Sequence, residues 1–161
     1  METRWLDNEQ QRAWRSYMLG TTLLMERLDR DLRAHGLSLP EYEILVRLSE
    51  AEDMRLRMAV LADSVKNSRS RITHTIARME RSGLVERRSC ASDGRGVFAQ
   101  LTDKGYQTLV EAAPYHVDSV RRALVDIVSR DDLLAIGRAF SSVVDELEAG
   151  AHDPLLTAVG V

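Results

Sequence analysis

Arginines, short hydroxyls and a histidine crowd one stretch of the chain: Ser68, Arg69, Ser70, Arg71, Thr73, His74 and Arg78. Forked guanidinium donors pair bidentately with guanine edges, and hydroxyls reach phosphates or base edges. For a major groove to receive them, they must stand near the start of one exposed helical face. Arg69 and Arg71 suit a guanine, Ser68, Ser70 and Thr73 suit phosphates or bases, and His74 suits a groove-facing position. A second basic point follows at Asp93-Gly94-Arg95-Gly96, where glycines flank one arginine on a turn. An arginine so placed can enter a narrow minor groove, with Asp93 placed to hold Arg87 or Arg88. From Ser64 to Arg95 there are eight Lys/Arg and three acids, although the whole chain has a net charge of −3. A basic face on an acidic body implies a polyanionic partner on that face alone. Arg and Ser are also common on any solvated helix face, so the neighbouring elements must decide.

Those elements fit. Met58 to Val65 reads as a short amphipathic helix with Val60, Leu61 and Val65 inward, and Asn67-Ser68 as a turn and N-cap. The next helix spans about 69–82, with Ile72, Ile76 and Met79 inward, and stops at Gly83. Runs 84–88 and 97–101 are strand-like and enclose Gly94 and Gly96, which predicts a β-hairpin. Upstream, Asp7-Asn8-Glu9-Gln10 has capping-box form. It opens a helix in which Trp14, Tyr17, Met18, Thr21, Leu24, Met25, Leu28 and Leu32 recur at helical spacing as far as Gly36. At ~1.5 Å per residue this helix is about 40 Å long, too long for the surface of a small monomer. Ser38-Leu39-Pro40-Glu41 repeats the capping pattern ahead of Tyr42, Leu45, Val46 and Leu48. Downstream, Thr102 caps a helix carrying Leu109, Val110, Ala113, Val117, Val120, Leu124 and Ile127, with a bend expected near Pro114. Ser129-Arg130-Asp131-Asp132 caps the last helix, with Leu133, Leu134, Ile136, Phe140, Val143, Val144 and Leu147 inward.

The expected fold is therefore mainly α with a small β-hairpin wing: a winged helix-turn-helix in the order α-α-α-α-β-β-α-α, assembled as an intertwined dimer. Residues 37–102 form the DNA-binding domain, and 1–36 with 103–161 supply dimerisation helices (about 7–36, 103–128 and 130–149). A chain of 161 residues, 44% hydrophobic and 29% charged, suits one compact unit. No apolar run approaches the roughly 18 residues of a membrane span, and the N-terminus lacks an apolar secretory core, so a cytoplasmic location is expected. One cysteine, Cys90, excludes an intrachain disulfide and a cysteine-cluster zinc site. Its neighbours Arg87 and Arg88 could activate it, but the redox reading is set aside. His35, His74, His116 and His152 are scattered, so no metal and no cofactor is expected. Glycine-rich phosphate loops and nucleophile elbows are absent, which argues against an enzyme.

Taken together, Leu61-Ala62-Asp63, Ser68-Arg69-Ser70, Arg78 through Arg87, Asp93-Gly94-Arg95 and Leu101-Thr102-Asp103-Lys104-Gly105 resemble the MarR (multiple antibiotic resistance regulator) family. The likeness runs over nearly the whole chain. It implies a homodimeric winged-helix regulator, usually a repressor, that binds pseudo-palindromic double-stranded DNA and is often released by a small ligand. By the same resemblance the recognition helix is about 68–81 and the wing arginine is Arg95. Cys90-Ala91-Ser92 departs from the pattern, since many relatives have a proline before the wing aspartate. Family effector pockets lie between the dimerisation helices and the winged domain. There Trp14, Tyr17, Met18, Met25, His35, Tyr42 and Met58 are candidates to hold a small aromatic effector. A Trp/Tyr/Met stripe at helical spacing is equally what a core or dimer interface needs, and that reading is preferred. Two alternatives stay open: a winged-helix dimer acting through protein–protein contacts, and a ligand-insensitive DNA-binding protein.

Overall fold

The structure, a computed structural model, describes residues 2–66, 68–89 and 96–151. Asn67 and the hairpin tip, with Cys90, Asp93 and Arg95, lie outside the described residues. Two compact units are present, Met1–Ser119 and Val120–Val161.

In the first unit, helix α1 (Asn8–Arg33) begins as its capping box requires. Asp7 Oδ1 accepts the Glu9 and Gln10 amides at 2.8 Å, and Gln10 Oε1 accepts the Asp7 amide at 3.1 Å. The chain turns at Gly36, whose φ of +76° a side chain would strain. Helix α2 (Leu39–Ser49) buries Tyr42, Ile44, Leu45 and Leu48. A turn with left-handed Asp53 and Met54 leads into strand β1 (Arg55–Arg57), helix α3 (Met58–Ser64) and helix α4 (Arg69–Arg81). Strands β2 (Val85–Ser89) and β3 (Val97–Leu101) follow, then helix α5 (Asp103–Val120). The sheet is antiparallel in the order β1-β3-β2, with Leu56 and Arg87 on either side of Ala99.

The core gathers Leu32, Leu37, Leu45, Leu48, Leu61, Ile72, Ile76, Met79, Val85 and Ala99, all fully buried. Each large aliphatic side chain removed from water contributes on the order of 2 kcal/mol. The α4 stripe at 72, 76 and 79 is the one expected from its spacing, and it sets which residues of α4 face outward. The start of α5 is fastened to the root of the wing. Thr102 N donates to Leu84 O at 3.2 Å, Thr102 Oγ1 lies 2.7 Å from Gly83 O, and the same hydroxyl accepts Gly105 N at 3.0 Å.

In the second unit, Arg121–Val125 form one π-helical turn and helix α6 (Arg130–Ala151) follows. Ser129 caps α6 by accepting Asp132 N at 3.1 Å.

Several expectations need correction. The hairpin has a third strand, β1, because the Arg-Leu-Arg triplet pairs with β3, a partner distant in sequence. Val60 is exposed: the buried face of α3 follows Met58, Leu61, Ala62 and Val65, and Val60 lies about 100° from it. Helix α5 runs through Pro114 as far as Val120, and a π-helical turn follows. Leu134, Ile136, Phe140, Val143, Val144 and Leu147 of α6 are exposed in the single chain, as are Trp14, Tyr17, Met18 and Met25 of α1. Periodicity identifies an apolar face without saying what covers it.

Candidate nucleic-acid interface

Helix α4 starts at the cap the sequence supplies, with Ser68 Oγ accepting Arg71 N at 3.3 Å. Arg69, Ser70, Arg71, Thr73, His74 and Arg78 are all exposed, as is Ser68. They are not one patch: α4 presents two flanks. One lines a cleft of about 480 Å³ with Ser68, Ser70, Arg71, His74, Thr75 and Arg78, closed by Pro40 at the start of α2. The other lines a cleft of about 430 Å³ with Arg69 and Thr73, facing Arg57, Met58, Arg87 and Val97. Thr73 and Thr75 donate their hydroxyl protons to the carbonyls of Arg69 and Arg71, at 2.8 and 3.0 Å. Each hydroxyl keeps lone pairs with which to accept, and turns its proton to a phosphate by giving up that backbone bond.

Cations at these clefts are held by specific acids. Arg87 donates its backbone N–H to Glu80 Oε1 at 3.0 Å and its Nε–H to Oε2 at 2.9 Å, tying β2 to α4. The Arg87 amide, then burial acting in the opposite sense, then the Arg87 guanidinium shift Glu80, and the balance holds its carboxyl below the usual value. Arg88 pairs with Glu86, so both arginines expected near Asp93 have acids of their own. Arg55 and Arg57 each place a guanidinium carbon 5.5 Å from the centre of the Phe98 ring, a cation–π arrangement at the base of the wing. Arg78 donates Nε–H to Glu41 Oε1 at 2.8 Å. Arg69 and Arg71 make no ion pair among the described residues.

Arg57 at one cleft, and Glu41 and Glu80 behind Arg78 and Arg87, are residues of the candidate site that the sequence reading did not single out. Arg57 carried a signal, a cation flanking the short helix, but its strand was not legible. Glu41 was visible only as a helix cap.

The candidate effector residues divide. Met25 and Tyr42 line a cavity of about 430 Å³ with Leu28, Val46, the turn Ser64–Lys66 and His116 of α5. Trp14, Tyr17 and Met18 do not line it, and the Trp14 and Tyr17 rings meet on exposed α1 with centroids 5.7 Å apart. His35 stacks on Tyr115 at 4.0 Å, and Met58 lines the cleft at the wing. His116 lies 4.4 Å from the Tyr42 ring, its Nδ1 is buried without a partner among the described residues, and burial lowers its pKa from 6.5. Among the described residues no group of acids, histidines and cysteine forms a metal site, and no helix is long and apolar enough to cross a membrane.

A short helix, a turn, a second helix flanked by cationic clefts and a three-stranded wing define a winged helix-turn-helix protein. Residues 37–97 match the model of the MarR family. The chain is 44% identical to AbsC, a MarR family transcriptional regulator from Streptomyces coelicolor. That likeness covers 91% of this chain and 99% of AbsC, with a TM-score of 0.87. It is 43% identical to Sco3205 of the same organism, solved in complex with DNA, over 94% of this chain and 96% of the other, with a TM-score of 0.90. The transcriptional repressor MprA of Escherichia coli is 27% identical over 78% of this chain and 72% of its own. The chain belongs to the MarR family of transcriptional regulators.

Proposed function

We propose that this protein is a sequence-specific regulator that binds double-stranded DNA, acting as a homodimeric repressor on a pseudo-palindromic operator. The observation that carries the reading is that α4 is flanked on both sides by arginine-lined clefts. A helix lying in a major groove has a phosphate strand on each side, so cations belong on both flanks and base-reading groups between them. Arg69, Arg71 and His74 are the base-reading candidates, while Ser68, Ser70, Thr73 and Arg78 take phosphates or bases. Arg57 and Arg87 join them on phosphate, and Arg95, on the sequence argument alone, enters the minor groove. The DNA complex of Sco3205 and the repressor role of MprA support this. Exposed apolar faces on α1 and α6 support a dimer, in which the two α4 helices would lie about 34 Å apart, one turn of B-DNA. Function in the cytoplasm, without catalysis, goes with this role.

The cavity at Met25, Tyr42 and His116 supports release by a small aromatic effector. Its walls are mostly apolar, and its far side is the turn immediately before α4. An occupant could therefore shift the recognition helix.

The test is fluorescence anisotropy with a duplex flanking the protein's own gene, titrated in salt against a random duplex. Preference for the former with a steep salt slope is expected. No binding to either duplex at low salt would refute the DNA reading and favour a protein partner. A series of aromatic carboxylates and phenols that leaves both anisotropy and melting temperature unchanged would refute the effector.

A further inference from the structure

We propose that Glu41 is a positioning residue for DNA reading, which fixes the Arg78 guanidinium so that its terminal nitrogens face the groove. The proposal rests on the DNA-binding reading above. Glu41 stands in the first turn of α2 with only 12% of its side chain exposed, whereas Arg78 in the last turn of α4 is 54% exposed. The carboxylate is pinned on its own helix first, since Oε2 accepts both Ser38 N and Ser38 Oγ at 2.8 Å. Its other oxygen, Oε1, accepts Arg78 Nε at 2.8 Å across 37 residues of sequence. Burial alone would raise the Glu41 pKa; the Ser38 amide, the Arg78 guanidinium and the Ser38 hydroxyl outweigh it and hold the acid ionised.

Because the acid is anchored, its bond to Arg78 orients the arginine. Nε is the donor engaged, and the terminal N–H donors of the guanidinium sit on a side chain that is 54% exposed. They belong to the cleft that also holds Arg71 and His74, at helical spacings of seven and four residues from Arg78. A side chain ordered before binding loses less freedom when it meets its target. Glu41 also offsets the charge of Arg78, so the pair acts through directed hydrogen bonds more than through net attraction. Positioning and electrostatics therefore predict opposite things on removing the acid's charge.

The experiment uses the full-length protein. A duplex is first selected from a randomised pool by the wild type, and its affinity is then compared with that for a random duplex. Glu41→Gln keeps an oxygen for Ser38 and adds one unit of positive charge to the face. Positioning predicts unchanged or tighter binding to the random duplex, and a preference for the selected duplex about tenfold lower. In an Arg78→Lys background the same substitution should add nothing further. Arg78→Lys alone, which keeps the charge but has no Nε–H to engage, should give the same loss of preference even where Glu41→Gln folds poorly. Parallel gains on both duplexes would mean a purely electrostatic role, and parallel losses that follow a lowered melting temperature a purely structural one. Either overturns the proposal. A wild type that enriches no sequence refutes the DNA reading itself. A wild type that enriches one, with the preference of both variants intact, refutes the positioning role alone.

Discussion

Replacing Gly105 with alanine should destabilise the protein by about 2 kcal/mol, against the helix propensity scale, which favours alanine over glycine by roughly 0.5–1 kcal/mol. A Cβ built on Gly105 would lie 2.0 Å from the Leu84 carbonyl oxygen, 2.9 Å from its carbon and 2.8 Å from Leu101 Cδ1. Carbon and oxygen come no closer than about 3.3 Å in ordinary contacts, so a gap of more than 1 Å must open. The Leu84 oxygen cannot swing away, because it accepts Thr102 N and its chain continues directly into fully buried Val85. Parting α5 from the wing root would stretch that 3.2 Å bond beyond hydrogen-bonding range. Its loss costs about 0.5–1.5 kcal/mol. Overpacking against Leu84 and Leu101 adds about 1–3 kcal/mol. The propensity gain offsets only part of this.

The assay is urea unfolding followed by far-UV circular dichroism, at one protein concentration because dimerisation would contribute to stability. The midpoint should fall by roughly 1 M with an unchanged slope. DNA affinity should fall as well, since Leu84 leads into the strand that carries Arg87. A midpoint at or above that of the wild type would refute the reasoning, because the first turn of α5 could not then be seated on the Leu84 carbonyl.

Arg71→Ala should cost about 1–3 kcal/mol on a selected duplex and relax sequence preference, whereas Arg57→Ala should weaken all duplexes alike and reduce the salt slope by about one. Anisotropy against salt separates the two, and equal losses for Arg71→Ala on selected and random DNA would refute its base-reading role. Burial lowers the His116 pKa below 6.5, so the unfolded chain takes up its proton first as pH falls. Stability from this residue should then be complete above pH 6.5 and decline below it. Urea midpoints between neutral pH and the carboxylate range should fall less steeply in His116→Leu. Val144→Asp on α6 should convert a dimer to monomer by sedimentation velocity; a variant still dimeric, or a monomeric wild type, would refute the interface.

Local signals were legible and distant ones were not. The limits and inward face of α4 were readable because Ser68, Gly83 and the spacing of Ile72, Ile76 and Met79 all act within a turn or two of helix. The capping boxes of α1 and α2 were readable for the same reason. Strand β1 was not: three residues with cations at both ends have no visible period, and what makes them a strand is β3, more than 40 residues later. Glu41 shows the same limit within one side chain. One oxygen serves a cap three residues away, which the sequence displays, and the other serves Arg78, which only the fold brings near. The aromatic stripe of α1 divided for a related reason. Met25 reaches the cavity because it lies next to the buried C-terminal end of the helix, whereas Trp14, Tyr17 and Met18 lie on its exposed N-terminal part.

The arrangement of acids behind arginines bears on how such an interface discriminates. Arg55 pairs with Asp53, Arg78 with Glu41, Arg87 with Glu80 and Arg88 with Glu86. On α4, Arg69 and Arg71 at its start and Arg81 at its end, whose Nε meets the Ala77 carbonyl, stand without such an acid among the described residues. Attraction to phosphate depends on net charge and is blind to sequence. Hydrogen bonding to base edges depends on direction and is not. An acid beside an arginine weakens the first and, by fixing the side chain, strengthens the second. The basic face is therefore less basic than its arginine count suggests, and at the start of α4 the cations left without an acid are Arg69 and Arg71.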